Sequence, residues 1–390
     1  MQKIQVNCFK TYRVMRWHRS KYLWTGENRW LEKLGIKVED SGHGPQDVLV
    51  IPCPHLPGKE TMSNRDEGLW INTGHRGLFE FSDDPVICDS SLDYAYIDPA
   101  MRATLSSPQM RAFLTGTQFR NPELQTRGSF GGEYYGAVYA NRWVHGDGPS
   151  TRRERAELHP DVLAKIPKPN RPPTRPFTDE VFEYIQQNRK PLEQRSTDLF
   201  FSGRTQYLRA RFNDHPTMHR KRFEEMWDSL PGARKQLITY DDFAGTRKAG
   251  KPTTSLKYPY EYVDALLDSK VIVSPWGWSP WCVRDFEALA CGCVVIKPEC
   301  SNMLVYPDIY DPDKNLMLWG DLMYDNLHDQ IRYCYENLDE MQSRVDRASD
   351  FVFDALYPND RLYESWTRDL RELLERILST SNFMLGSNIP

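Results

Sequence analysis

Lys270 to Ser301 reads KVIVSPWGWSPWCVRDFEALACGCVVIKPECS. The stretch spells strand, loop, helix, strand. Val271, Ile272 and Val273 are β-branched and uninterrupted by charge, the pattern of a strand buried on both faces of a parallel sheet. A loop with Pro275, Trp276, Gly277 and Trp278 follows. Ser279-Pro280 fits an N-cap and first helical position, because the serine oxygen accepts an orphan amide and proline has none to leave unpaired. The expected helix carries Cys282, Phe286, Leu289 and Ala290 on one apolar face, and Arg284 and Glu287 together on another. Gly292 falls where a helix ends in a left-handed residue, and Cys293 to Ile296 opens the next strand.

Such a βαβ unit aims a helix N-terminus at the carboxyl edge of a sheet, where open α/β folds bind ligands. Free amides and the positive end of the helix dipole favour an anion there. Gly277 lets the backbone approach closely, and Arg284 adds a forked donor that matches phosphate oxygens. Glu287, one turn further in, is placed to accept hydrogen bonds from a sugar diol. The competing structural reading makes Arg284 and Glu287 a helix-surface ion pair and the tryptophans core.

The string R-D-F-E-A-L-A-C-G-C-V-V-I resembles the donor-binding segment of GT-B glycosyltransferases, and is most similar to exostosin-like and CgeB-like members. The resemblance implies that Glu287 holds the ribose of a nucleotide sugar and that Arg284 lies close to its diphosphate. It also implies a GT-B fold: α/β, with two Rossmann-like β/α/β domains facing an inter-domain cleft. Many retaining members carry a further glutamate where this chain has Ser279, so the stereochemistry of transfer does not carry over.

At 390 residues the chain has room for two separate cores. With 27% charged residues and a net charge of -4, it offers no global basic field for nucleic acid and no polybasic tail for an anionic membrane. No apolar run approaches the ~18 residues of a transmembrane segment, and MQKIQVNCFKTYRVMRWHRSK lacks a signal peptide's apolar stretch, so a cytoplasmic location is expected. The eight cysteines show no repeated CxxC pair, and several (Cys8, Cys88, Cys293) lie in apolar runs, which favours buried free thiols over disulfides or zinc ligands. Aromatic content is 12%; such rings stack on sugars, and they also pack cores.

Residues 1–150 begin as another β/α unit, expected to be the acceptor-side domain. Lys3 to Phe9 reads as a strand, Glu27 to Leu34 as a helix ended by Gly35, and Asp47 to Ile51 as a second strand. Short apolar runs follow at 69–72, 78–81, 86–88 and 94–97. The glycine-rich patch 128–136 reads as a hairpin turn or an acceptor-facing loop. A proline-rich and charged linker is expected over 151–178.

The nucleotide-sugar domain is expected over 179–360. Its first strand, Leu199 to Ser202, ends in Gly203-Arg204, which resembles the glycine and basic residue that face the phosphates in related glycosyltransferases. A helix over 219–230, a strand over 236–239 and a helix over 261–267 continue the alternation. Lys257, at the end of a polar and locally basic loop, is a further phosphate candidate. The loop after Ile296 brings Glu299 and Ser301, which the resemblance places near the transferred sugar. Helices fill the rest from Leu322, and the tail 361–390 is expected to pack back on the first domain.

The resemblance implies transfer of a glycosyl group from a nucleotide sugar, such as a UDP- or GDP-sugar, to a hydroxyl of a glycan, lipid-linked or protein acceptor. Arg204, Arg284 and the helix N-terminus would stabilise charge growing on the leaving diphosphate. Fixed positive groups of this kind require no metal and no other cofactor. An inverting enzyme would also need a general base, for which His18, His55, His75, His145, Asp93 and Asp98 are candidates. Two further readings stay open: a non-catalytic sugar- or nucleotide-binding scaffold on the same fold, and another sugar-nucleotide enzyme such as an epimerase.

Overall fold

The computed structural model describes residues 4–8, 32–33, 35–39, 48–52, 86–90, 95–96, 110–115, 118–120, 129–130, 176–203, 217–239, 259–276, 282–301, 303–305, 307–321 and 324–385. The chain divides into two compact units. One comprises Met1–Gly136, Pro149–Pro172 and Arg361–Pro390, the other Ala137–Gly148 and Pro173–Asp360.

The first unit contains β1 (Ile4–Cys8), β2 (Ile36–Glu39), β3 (Val48–Pro52), β4 (Val86–Ser90) and β5 (Met110–Thr115). They form one five-stranded sheet in the order β2-β1-β3-β4-β5, and every pairing is parallel. Parallel neighbours need crossover connections rather than hairpins. The sequence reading found three of these strands, β1, β3 and β4. It passed over β2, a four-residue strand with two charges (IKVE) directly after Gly35, and β5, whose MRAFLT carries a charge and little β-branching. Within the glycine-rich patch, Ser129–Phe130 pairs antiparallel with Ala95–Tyr96, and residues 131–136 lie outside the description.

The second unit repeats the plan. Its strands are β6 (Thr197–Gly203), β7 (Lys235–Thr239), β8 (Ser269–Val273), β9 (Val294–Pro298) and β10 (Leu318–Gly320). The order is β7-β6-β8-β9-β10, again all parallel. Counted along the unit this is 2-1-3-4-5, the same order as in the first unit and one of the common doubly wound orders. The chain runs outward from β6 to the β7 edge, then turns back past β6 to β8 and continues the other way. The switch point therefore lies between β6 and β8, at their carboxyl ends.

Helices cover both faces of this sheet. They are α1 (Asp179–Asn188), α2 (Thr217–Met226), α3 (Tyr260–Leu267), α4 (Val283–Ala290), α5 (Leu327–Glu336) and α6 (Leu338–Leu356). Side chains alternate along a strand, so Phe201, Val271, Val273, Val294 and Ile296 face one way, where Phe223 and Trp227 of the α2 segment and Leu327, Ile331 and Cys334 of α5 meet them. On the other face Phe200 packs against Tyr262 of α3, ring centroids 6.4 Å apart. The strand centres are fully buried on both faces, as their uninterrupted apolar runs require, and each such side chain contributes about 1.5–3 kcal/mol of transfer free energy. The last helix, α7 (Asn359–Leu385), groups with the first unit from Arg361 on.

The helix boundaries are set by contacts as well as by local spacing. Helix α4 starts at Val283 rather than at Ser279-Pro280, because Cys282 is extended (φ -141°, ψ 134°) and its amide is taken by the Tyr310 hydroxyl at 3.3 Å. Helical spacing continues through Leu338, yet the backbone breaks at Asn337 (φ -127°, ψ 47°), which separates α5 from α6.

Candidate functional site

The exit of β6 and the start of α4 meet at the switch point. Arg284 reaches from the first turn of α4 to donate from Nη2 to the carbonyl of Ser202, at 2.6 Å. Its guanidinium carbon lies 4.8 Å from the centroid of the Phe201 ring. The next residue is Gly203, and a β-carbon there would stand 2.3 Å from Arg284 Nη2. The glycine leaves the room that the guanidinium occupies.

The residue as a whole is half-buried, yet Nε and Nη1 are shut off from water and have no hydrogen-bond partner among the described residues. Nor does Arg284 make an ion pair among them, so it is no helix-surface salt bridge to Glu287. Burial works against its charge, and Cys282, Tyr262, Glu287 and Asp285 outweigh that effect, so the pKa is raised. A charged fork with two unmet donors in a desolvated place is costly by about 1–3 kcal/mol per donor, more for a charged group. An oxyanion is the chemical complement of that fork.

Glu287 lies one turn further along and is 8% exposed. The hydroxyl of Tyr262 donates to its Oε2 at 3.1 Å. Burial, reinforced by Glu287, holds the Tyr262 phenol well above its ordinary pKa, so it remains a donor. The carboxylate is thereby oriented from α3 rather than by Arg284.

The C-terminal end of α4 is fixed with equal care. Gly292 is left-handed (φ 69°), the Cys293 amide donates to Ala288 O at 2.9 Å, and the Gly292 amide donates to Leu289 O at 3.0 Å. These are the two bonds of a Schellman motif. The buried Arg195 donates to the carbonyl of Cys291 at 2.9 Å and to that of Ser269 at 2.8 Å, tying the helix end to the start of β8. Nothing in the local sequence announces this role, since Arg195 stands 96 residues from Cys291.

The remaining donor-site candidates are placed as follows. Trp276 is fully buried; its indole donates to Pro298 O at 3.1 Å, and its own carbonyl accepts from Arg220 Nε at 2.6 Å. The ring packs in the core and joins the exits of β8 and β9. Glu299 is exposed and its Oε1 accepts from the amide of Ser301 at 2.6 Å, so the two close one turn at the exit of β9. Arg204, Lys257, Gly277, Trp278 and Ser279 lie outside the described residues, as do His18, His55, His75, His145, Asp93 and Asp98. No helix among the described residues is long and apolar enough to cross a membrane.

Sequence reasoning missed a buried polar cluster beneath the site. Asp285 and Lys297 form an ion pair at 2.8 Å with neither side chain exposed, and Ser274 and Tyr310 complete it. The available signal was a lysine directly after the apolar run V-V-I and an aspartate in the first turn of an otherwise apolar helix.

Two five-stranded parallel sheets of one strand order make this chain an α/β protein built of two Rossmann-like units. No family model matches the chain, and no curated protein matches it. Among solved structures it is similar to sucrose-phosphate synthase from Thermosynechococcus elongatus, with 10% identity and a TM-score of 0.45 over 96% of this chain and 100% of that one. It is also similar to HepE from Anabaena in complex with UDP, with 9% identity and a TM-score of 0.44 over 96% of this chain and 100% of that one. For the spinosyn forosaminyltransferase SpnP the values are 9% identity and a TM-score of 0.44 over 96% and 100%.

Proposed function

We propose that the chain is a glycosyltransferase of the GT-B class. It moves a sugar from a nucleotide-sugar donor to a hydroxyl of a glycan, lipid-linked or protein acceptor. The observation that carries this reading is Arg284: a charged guanidinium held by one nitrogen on Ser202 O at the switch point, with its other two nitrogens buried and unpartnered among the described residues. Ligands of open α/β sheets bind at that place, and a diphosphate supplies the acceptors that the fork lacks. Glu287, oriented by Tyr262, accepts from the ribose hydroxyls. Residues 151–178 serve as a linker, and the first unit holds the acceptor.

As the glycosidic bond breaks, negative charge collects on the departing diphosphate. Arg284 is fixed before the reaction begins, so it lowers the barrier without reorganising, the electrostatic mode that commonly supplies several kcal/mol. Because this charge is built into the chain, transfer is expected to continue when divalent ions are chelated.

The test is calorimetric titration with UDP, GDP, CMP and ADP, repeated on Arg284→Ala and Glu287→Ala. Binding of one nucleotide, weakened in both variants, supports the reading and selects donors for a transfer assay with and without EDTA. Absence of binding by well-folded protein, or binding indifferent to both substitutions, overturns it. Binding without hydrolysis or transfer of any sugar nucleotide would instead favour the non-catalytic scaffold.

A further inference from the structure

Asp285 lies between the two residues assigned to the ligand, one after Arg284 and two before Glu287. Residues advance by roughly 100° each around a helix, so Arg284 and Glu287 stand about 60° apart while Asp285 points away from both. It points into the protein, where three separate segments converge on its carboxylate. Ser274, just past β8, donates from Oγ to Oδ1 at 2.5 Å. Lys297, in β9, places Nζ 2.8 Å from Oδ2. Tyr310 donates its hydroxyl to the same Oδ2.

The Tyr310 hydroxyl also accepts from the amide of Cys282 at 3.3 Å, the residue that precedes α4. Its ring lies under the Lys297 ammonium, 5.5 Å from centroid to nitrogen. A single hydroxyl thus joins the backbone entering the helix to the buried ion pair. The Ser274 amide donates to Ile296 O at 2.8 Å, which fixes the serine against β9.

Stability is a poor explanation for this cluster. Removing both ions from water costs several kcal/mol each, and apolar residues of similar volume often replace such pairs without loss. What a carboxylate with three convergent partners does provide is a defined position. It sets how α4 is rolled about its axis and where the chain enters it. A small roll error would swing the long Arg284 side chain off the exit of β6, and misplacement of about 1 Å is enough to spoil a preorganised site.

We infer that Asp285, paired with Lys297 and Tyr310, is a positioning residue of the anion site: the cluster fixes α4 so that Arg284 is delivered to Ser202 and Gly203. This rests on the donor-site reading above. The cluster touches no ligand itself. It acts on the diphosphate through Arg284, so its loss should weaken recognition of the phosphates more than that of the rest of the nucleotide.

The experiment compares diphosphate with monophosphate affinity, using the UDP/UMP, GDP/GMP and ADP/AMP pairs, in wild type, Arg284→Ala, Tyr310→Phe and the double variant Asp285→Leu/Lys297→Met. Measurements are made well below every melting temperature. A generally loosened protein loses both affinities alike and leaves their ratio unchanged. The expected result is that the double variant stays folded and its diphosphate-to-monophosphate ratio falls about tenfold, towards that of Arg284→Ala, with a fall of about threefold in Tyr310→Phe. Should the double variant not fold, Tyr310→Phe decides, since it removes the hydroxyl without leaving a buried ion unpaired. A wild-type ratio in a folded double variant or, failing that, in Tyr310→Phe overturns the inference while the donor site stands. If wild type binds none of these nucleotides, or Arg284→Ala leaves the ratio unchanged, both fall together.

Discussion

Gly203 and Arg284 fit each other as hole and plug: a β-carbon on the glycine would lie 2.3 Å from Arg284 Nη2 and 3.2 Å from Cζ of Phe201. No heavy atom can sit at the first distance. Gly203→Ala must therefore push the guanidinium off the Ser202 carbonyl, with loss of a charge-assisted hydrogen bond of about 1.5–3 kcal/mol. The expected outcome is nucleotide affinity lower by about 10- to 150-fold with the sheet intact, measured by calorimetry alongside a thermal melt. An unchanged affinity would separate Arg284 from the ligand.

At the other end of α4, Gly292→Ala should cost stability and spare binding. An L side chain in the left-handed region pays roughly 1–2 kcal/mol. The added carbon would also meet Arg195 Nη2 at 3.1 Å and Arg189 Cδ at 3.2 Å. Urea unfolding should show a loss of about that size, whereas nucleotide affinity at a temperature where the variant is folded should match wild type.

Asp198 makes the second unit acid-sensitive. Burial would raise its pKa, but the hydrogen bond and charge of Lys270 together with the amides of Arg234 and Ala233 outweigh burial and lower it. Lys270 Nζ lies 2.8 Å from Oδ1, and both amides donate to Oδ2 at 3.0 Å. A depressed folded pKa contributes stability that is present above the unfolded value near pH 4 and is lost as pH falls through the folded one. Between pH 5 and 3 the melting temperature of wild type should therefore fall more steeply than that of Asp198→Asn, which should itself be less stable at pH 7. Parallel curves would refute this.

The described thiols should react in a fixed order. Burial pushes Cys293 up to about 11 against the pull of Arg195, and Cys334 up to about 12. Cys291 and Cys300 are likewise buried and raised. Thiolate is the reactive form, so alkylation of native protein at pH 8, mapped by peptide mass, should modify the half-buried Cys282 and leave these four until denaturant is added. Labelling of Cys293 in the native state would contradict the packing around Arg195.

Much of the fold was legible because its signals are local. The apolar run 271–273, the helix around Arg284 and the glycine at 292 each depend on residues a few positions apart. The start of α4 was misplaced because Ser279-Pro280 is a good local cap, whereas the actual start is set by Tyr310, 28 residues from Cys282. Trp276 stood as either a sugar platform or core, and only the carbonyl of Pro298 beneath its indole puts it in the core.

The sequence by itself determined the alternation of strands and helices, the two-unit plan and the pairing of Arg284 with Glu287 on one helix, since periodicity and turn chemistry are properties of neighbouring residues. The tertiary structure decided what each side chain meets. Strand β8 lies beside β6 although β7 comes between them in the chain, and only that order carries Arg284 to Ser202, 82 residues away. It likewise buries Asp285 against Lys297. A charge in the sequence says nothing of its partner, because the partner is chosen by strand order and packing rather than by distance along the chain.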